Sequence, residues 1–217
     1  MEGPIRIVIA DDHPIVREGL VRIIEREKSC SIVGQAGDGA EALRLIEELH
    51  PDIALLDVTM PMMDGLEVAR SVQQRALLTE LVFLTMHKDP EYLNAALDLG
   101  VRGYLVKESV SSDLIACLKA VTSGEHYVSP VISHLLIERR GHSTPGSDAR
   151  PLRERLTPAE VSVLRLVAEN KTNKEIAKAL FVSIRTVENH RARMCLKVGV
   201  KGHNQLLLFA REHRGQF

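Results

Sequence analysis

Five polar side chains that could take part in phosphoryl transfer follow apolar segments of the chain. Asp11 and Asp12 close the first of these segments, Asp57 the third, Thr85 the fourth and Lys107 follows the fifth. Carboxylates are oxygen ligands that suit Mg²⁺, and a carboxylate can also act as a nucleophile toward phosphorus. A lysine and a hydroxyl supply the positive charge and the donor that phosphoryl oxygens need. One acid at a strand end is more often a turn residue, but the five together favour a phosphoryl-transfer site.

The elements that must position these side chains alternate along the first half of the chain. Short apolar runs bounded by turn residues predict buried parallel strands, which are residues 5–10, 31–36, 52–57, 81–85 and 101–106. The segments between and after them have helical spacing, and the predicted helices are residues 13–24, 40–49, 65–74, 90–99 and 111–122. Because right-handed crossovers bring the carboxyl ends of parallel strands to one edge, we expect the five side chains to converge there.

Charge divides the chain into an acidic part and a basic part. Residues 1–152 carry 15 basic and 23 acidic side chains, whereas residues 153–217 carry 13 and 6. This asymmetry predicts two domains, the second of which faces nucleic acid. The three widely spaced cysteines, with no CxxC pair, indicate a reducing compartment and neither a disulfide framework nor a zinc site. We found no signal pattern or long apolar run in the sequence, so we expect a cytoplasmic protein with no membrane partner.

The basic part has clear helix-start signals. Thr157 and Thr172 each open a capping box, and Ser183 is a good N-cap. The predicted helices cover 158–169, 173–180, 184–198 and 203–212, and Asn170 is expected to end the first in a left-handed conformation. The second and third form a helix-turn-helix, for which a plain helical bundle is the alternative. The basic residues of helix 184–198 favour DNA binding.

Residues 5–123 resemble a response-regulator receiver domain, and residues 156–200 resemble a LuxR-type helix-turn-helix. The whole chain is thus similar to a NarL/FixJ-type response regulator. The resemblance implies a flavodoxin-like α/β fold, doubly wound with strand order 2-1-3-4-5, and a small all-α domain of four helices. The expected division is a receiver at 1–123, a linker with a short helix at 124–152 and the DNA-binding domain at 153–217. The linker helix is expected at 129–140, followed by a flexible Gly/Ser/Pro-rich connector.

The same resemblance assigns roles to the side chains of the receiver. Asp57 becomes the phospho-acceptor, and Lys107 becomes the lysine that contacts the phosphate. Thr85 and Tyr104 become the switch pair, in which Tyr104 swings inward when Thr85 follows the phosphate. The expected Mg²⁺ ligands are Asp11, Asp12, Asp57 and the backbone carbonyl of Thr59. The chain departs from the family pattern at Met62 and Met86, which are expected to crowd the pocket and affect phosphorylation rate and phosphate lifetime.

In the second domain, the resemblance makes helix 184–198 the recognition helix. Val187 and Met194 are expected to face the core of the domain. The residues expected to contact DNA are Arg185, Thr186, Glu188, Asn189, His190, Ala192, Arg193 and Lys197. Base edges are assigned to Glu188, Asn189 and Ala192, and phosphates to Thr186, His190 and Lys197.

Taken together, these features predict a transcription regulator controlled by phosphorylation. A histidine kinase is expected to phosphorylate Asp57, and the phosphorylated chain to form a homodimer on double-stranded DNA. The alternative is a constitutive dimer that needs no phosphate. A phosphatase is disfavoured, because such enzymes need a second acid two residues after the nucleophile, where this chain has Thr59.

Overall fold

The computed structural model describes residues 3–86, 88–136 and 156–216. The N-terminal part is one parallel sheet of six strands in the order β2-β1-β3-β4-β5-β6. The order of its first five strands is the doubly wound order expected from the sequence. The strands are β1 (Ile5–Ala10), β2 (Cys30–Ala36), β3 (Ile53–Asp57), β4 (Glu80–Thr85), β5 (Gly103–Val106) and β6 (Tyr127–Val128).

Five helices cover the two faces of this sheet. They are α1 (Pro14–Ile24), α2 (Gly39–Leu49), α3 (Gly65–Gln74), α4 (Pro90–Asp98) and α5 (Val110–Thr122). Helices α1 and α5 bury their apolar stripes with one face of the sheet, and α2, α3 and α4 with the other. Strand β3 is therefore buried on both sides, which is why its sequence is an unbroken apolar run.

The sixth strand and the start of the linker differ from the sequence-based expectation. Strand β6 lies beside β5, in register with Gly103 and Tyr104, and two residues are too few for a periodic pattern to predict. The predicted linker helix begins instead with a 3-10 turn at Pro130–Ile132. Ile132 and Leu135 are buried in the same apolar cluster as Tyr104. Most of the predicted connector lies outside the described residues.

The C-terminal part is a bundle of four helices with its own core. The helices are α6 (Pro158–Ala168), α7 (Asn173–Leu180), α8 (Ile184–Val198) and α9 (His203–Glu212). Thr157 and Thr172 both form the predicted capping boxes, and Asn170 has the predicted left-handed backbone with φ 64°. Val187 and Met194 are fully buried in the core, as predicted. None of the helices in the described ranges combines the length and apolarity needed to cross a membrane.

Candidate functional site

The carboxyl edge of the sheet brings Asp57, Lys107 and Asp11 together. Asp57 ends β3, and Lys107 follows β5 directly. The Nζ atom of Lys107 lies 2.6 Å from Oδ2 of Asp57 and 2.7 Å from Oδ2 of Asp11. The backbone N–H of Thr59 donates to Oδ1 of Asp57 at 3.2 Å. The ammonium group of Lys107 thus bridges the carboxylates of Asp11 and Asp57, which lie at the ends of two different strands.

The charges at this edge shift one another's pKa values. Burial raises the pKa of the Asp57 carboxyl above its ordinary range, and the hydrogen bond from Lys107 opposes that rise. Burial by itself would lower the pKa of Lys107, but its hydrogen bonds to Asp11 and Asp57 outweigh that effect and raise it. Lys107 therefore stays protonated and provides a fixed positive charge beside the Asp57 carboxylate.

The acidic residues at this edge also fit a divalent cation. Ligand atoms of Asp11, Asp12, His13 and Asp57 all lie within 4.8 Å of one another. The backbone N–H of His13 donates to Oδ1 of Asp11 at 2.9 Å, which orients that fully buried carboxylate. Three hard carboxylates around one point are a donor set that suits Mg²⁺.

Thr85 and Tyr104 lie on neighbouring strands behind this edge. Both residues are buried, and Thr85 closes β4. Burial raises the pKa of the Tyr104 hydroxyl to about 12. Tyr104 therefore points into the interior of the receiver in this structure.

Met62 and Met86 are not packed into the carboxyl edge. Their side chains are 88% and 61% exposed, so they extend into solvent. The backbone of Met62 is in the left-handed region with φ 66°, in the loop that follows β3. In the described structure neither thioether fills the space in front of Asp57.

Helix α8, the predicted recognition helix, is anchored by caps at both ends. Ser183 accepts a hydrogen bond from the backbone N–H of Thr186 at 3.1 Å, and Gly199 ends the helix with φ 76°. Along α8, Glu188 and Ala192 are exposed, while Arg185, Asn189 and Lys197 are partly exposed. The other predicted DNA contacts, Thr186, His190 and Arg193, are buried.

These buried side chains lie against the receiver, at the amino edge of its sheet. The hydroxyl of Thr186 donates to Oδ1 of Asp52 at 2.8 Å, one residue before β3. The guanidinium of Arg193 forms a close ion pair with Glu80, the first residue of β4.

Two further contacts extend the same interface. The side-chain amide of Asn189 donates to the carbonyl of Thr122, at the end of α5, over 2.7 Å. Nε2 of His190 lies 3.4 Å from the carbonyl of Leu78. Thr186 and His190, which were expected to contact DNA phosphates, are thus occupied by the receiver, at the edge of the sheet opposite Asp57. The third such residue, Lys197, pairs with Glu160 of its own domain.

Two family models match the chain. The receiver-domain model of response regulators matches residues 7–119, and the model of bacterial regulatory proteins of the luxR family matches residues 154–210. The chain is a response regulator of the LuxR family.

Relatives of this response regulator share both of its parts. The transcriptional regulatory protein LiaR of Bacillus subtilis is 34% identical over 206 residues, which cover 95% of this chain and 96% of the relative. The oxygen regulatory protein NreC of Staphylococcus carnosus is 34% identical and covers 94% of this chain and 96% of its own length. This response regulator is accordingly a DNA-binding transcription regulator and not an enzyme.

Solved structures show the same architecture. The RcsB response regulator of Salmonella typhimurium is 30% identical, with a TM-score of 0.59, and the match covers 96% of this chain and 98% of that one. An RcsB–DNA complex is 29% identical, with a TM-score of 0.58 over 95% and 98% of the two chains. The receiver fold and the helical DNA-binding domain of this response regulator therefore both have experimental counterparts.

Sequence reasoning missed the receiver residues that hold α8 and one that supports Lys107. No role was predicted for Asp52 or Glu80, although an acid directly before the predicted apolar strand 81–85 was a weak signal. Ser129 is fully buried, and its hydroxyl accepts from the backbone N–H of Val106 at 3.1 Å. It fixes the end of β5 immediately before Lys107, and no local pattern marks it.

Proposed function

We propose that a sensor histidine kinase phosphorylates this regulator on Asp57. The observation that carries the proposal is the bridging position of Lys107 between Asp57 and Asp11 at 2.6 and 2.7 Å. In the transfer, a carboxylate oxygen of Asp57 bonds to phosphorus, and the histidine nitrogen of the donor leaves. Lys107 offsets the negative charge of the transferred phosphoryl group, and Thr85 supplies a hydroxyl donor.

The acidic residues of the same edge provide a place for Mg²⁺. Asp11, Asp12, Asp57 and the carbonyl of Thr59 would hold the ion, which supplies positive charge against the incoming phosphate when bound. The close grouping of the three carboxylates supports this assignment. The hydrogen bond from the backbone N–H of His13 orients the fully buried Asp11 carboxylate independently of the ion.

Phosphorylation then releases α8 from the receiver. Strands β3 and β4 end in the phosphosite residues Asp57 and Thr85. The residues that hold α8 are at the other end of the same strands: Asp52 directly precedes β3, and Glu80 begins β4. A five-residue strand spans about 17 Å, so a rigid strand can connect the two edges. The phosphate favours the undocked state only to the extent that it binds that state better.

The released regulator binds double-stranded DNA as a homodimer in the cytoplasm. Helix α8 enters the major groove, where Glu188, Asn189 and Ala192 read base edges. Thr186 and His190 contact phosphates once the receiver leaves them, and Lys197 contacts a phosphate from its position beside Glu160. Arg185 and Arg193 add positive charge to the same surface. The proposal is supported by the +7 balance of residues 153–217 and by the RcsB relatives solved with DNA.

One observation favours the constitutive alternative for part of this cycle. Tyr104 is buried beside Thr85, so the switch pair has its inward position while Asp57 is paired with Lys107. On that reading the chain dimerises on DNA without phosphorylation. The buried flank of α8 argues against it, since the DNA-contact residues there are engaged with the receiver.

The first experiment measures phosphorylation directly. The protein is incubated with acetyl phosphate and Mg²⁺, and the covalent adduct is measured by mass spectrometry. Asp57→Asn should lose the adduct, while Asp64→Asn should keep it, because an asparagine side chain can still cap α3. Light scattering should show a dimer with beryllofluoride. An adduct that persists in Asp57→Asn, or an unchanged mass with beryllofluoride, would contradict the respective step.

The second experiment tests how α8 divides its contacts. Asn189→Ala should lose roughly 1–3 kcal/mol at a preferred duplex and little on scrambled DNA, because its amide can pair bidentately with adenine. Lys197→Ala should weaken both duplexes alike and reduce the salt slope by about one. The titrations use the beryllofluoride-treated protein at several salt concentrations. Equal loss on both duplexes for Asn189→Ala would mean that the reading face lies elsewhere.

A further inference from the structure

Arg191 of the recognition helix is buried with no counter-ion among the described residues. The residue is only 5% exposed, and within that part of the chain its Nε atom has no hydrogen-bond partner. The other cations farther along α8 are paired, Arg193 with Glu80 and Lys197 with Glu160. Burial lowers the pKa of Arg191, and no described carboxylate raises it again. Since an unpaired buried charge is strongly unfavourable, an anion from outside the chain would stabilise this position.

A cationic cavity lies beside Arg191. Its volume is about 470 Å³, and Lys171 and Lys174 line it together with Arg191. Its other lining residues are polar or apolar, and no acidic side chain of the described ranges lines it. Three cations without a lining carboxylate make the cavity suited to an anion.

The acidic residues nearest to this cavity in sequence have partners of their own. Glu175 accepts from Thr172 in the capping box, and Glu169 lies 3.4 Å from Nζ of Lys171. Glu188 accepts from the side-chain amide of Asn173 at 3.2 Å. Of the three cavity cations, Lys171 is therefore partly neutralised by a described carboxylate, and Arg191 is not.

The amino terminus of α7 adds to the positive potential. Helix α7 has eight residues, and its N-cap Thr172 and first residues line the cavity. The partial positive charge of a helix amino terminus favours an oxyanion at that place. The buried guanidinium of Arg191 and this terminus thus belong to one concave surface.

The cavity is separate from the interface with the receiver. No described residue of the receiver lines it. Thr186 and Arg193 face the receiver. Because successive helix residues are rotated by about 100°, Arg191 lies on a different side of α8 from these two residues. The site is therefore open while α8 is docked.

We propose that this cavity is a binding site for a phosphate-class oxyanion, held by Arg191, Lys171 and Lys174. Two sources have this chemistry, a phosphodiester of bound DNA and a free phosphate ion. In either case the anion neutralises Arg191. A DNA phosphodiester in this cavity would attach the duplex to α7 without using the side of α8 that the receiver covers.

The first arm of the test uses inorganic phosphate and the full-length protein. The Nε–H resonance of Arg191 is followed by NMR during titration with phosphate, at an ionic strength matched with chloride. Saturable movement of this resonance with phosphate but not with chloride is expected. In the variants, backbone amides of residues 171–174 report binding: Arg191→Met should weaken it at least tenfold, and the exposed control Arg165→Met should leave it within twofold.

The second arm distinguishes the source by the salt dependence of DNA binding. If a phosphodiester occupies the site, Arg191→Met should reduce the slope of log affinity against log salt by about one. If the slope stays the same and phosphate binding is lost, the ligand is a free ion. If Arg191→Met fails to fold, the paired variant Lys171→Gln, Lys174→Gln is tested in both arms. No phosphate-specific shift together with an unchanged slope would overturn the proposal.

Discussion

Replacing Glu80 by glutamine should open the docked arrangement without any phosphate. Glu80 is 6% exposed and forms the ion pair with Arg193. It also lies 3.5 Å from Nε of Arg102 and 3.8 Å from Nε2 of His190. The Glu80→Gln change keeps the size of the side chain and removes the carboxylate that joins these groups.

The size of the effect depends on whether the docked or the undocked state loses the interaction between Glu80 and Arg193. In the docked state Arg193 would be buried without its counter-charge, whereas in the undocked state it would be hydrated on the surface of α8. Removing one partner of a buried charge pair costs about 2–5 kcal/mol. Taking about 3 kcal/mol, the ratio of docked to undocked protein should fall roughly 100-fold. The gain in apparent DNA affinity is limited by the fraction that was docked at the start.

The assay is fluorescence anisotropy of a labelled duplex with unphosphorylated full-length protein at fixed salt. Glu80→Gln should bind more tightly than the unmodified chain, by up to about 100-fold. Glu47→Gln is the matched control, because its pair with Arg75 is on the surface and contributes less than about 1 kcal/mol. Beryllofluoride should narrow the difference between Glu80→Gln and the unmodified chain, since both would then be undocked.

A single result would refute this reasoning. If unphosphorylated Glu80→Gln binds DNA with the affinity of the unmodified chain, the contact between Glu80 and Arg193 does not restrain α8. A gain of similar size in Glu47→Gln would mean that loss of one negative charge, and not undocking, explains the effect.

Three further changes have defined outcomes. Gly65→Ala should slow phosphorylation and destabilise the receiver, because a Cβ atom there would lie 2.5 Å from the carbonyl oxygen of Asp57. The control is Gly19→Ala, which has open space around it and should stabilise α1 by roughly 1 kcal/mol in thermal unfolding. Burial lowers the pKa of His190 below 6.5, so His190 takes up a proton more readily when α8 is released, and the docked state should become less stable as the pH falls through 6.5. Energy transfer between dyes on the two domains should report this loss of docking, and a pH response that survives in His190→Gln would count against the role of His190. Ser129→Ala should destabilise the receiver by about 1–3 kcal/mol in urea unfolding, because it leaves buried polar groups unpaired; a loss under about 0.5 kcal/mol would show that its hydroxyl is not needed.

The local elements of this protein could be predicted because their causes are local. Strand β3 is an apolar run closed by Asp57, and the capping boxes at Thr157 and Thr172 need only four consecutive residues each. The bounds of α8, Ile184–Val198, follow from Ser183 at its start and Gly199 at its end. Convergence of the strand ends also follows from sequence, since parallel crossovers leave one edge for all carboxyl ends.

Contacts between distant parts of the chain were decided by the tertiary structure. Arg193 and Glu80 are 113 residues apart, and Thr186 and Asp52 are 134 apart, so no spacing in the sequence relates them. Their pairing depends on the docking of two separately folded surfaces, those of the receiver and the helical domain. Hydrophobic periodicity in the sequence carries no information about how the two surfaces dock.

The burial of individual polar residues was decided in the same way. Sequence alone determined that α8 is a basic helix with an apolar stripe, which placed Arg191 among its cations. Only the packing of α7 and α9 around α8 left that side chain enclosed beside a cationic cavity. Whether a charged residue is solvated or enclosed depends on its neighbours in space, and a chain specifies those neighbours only through the complete fold.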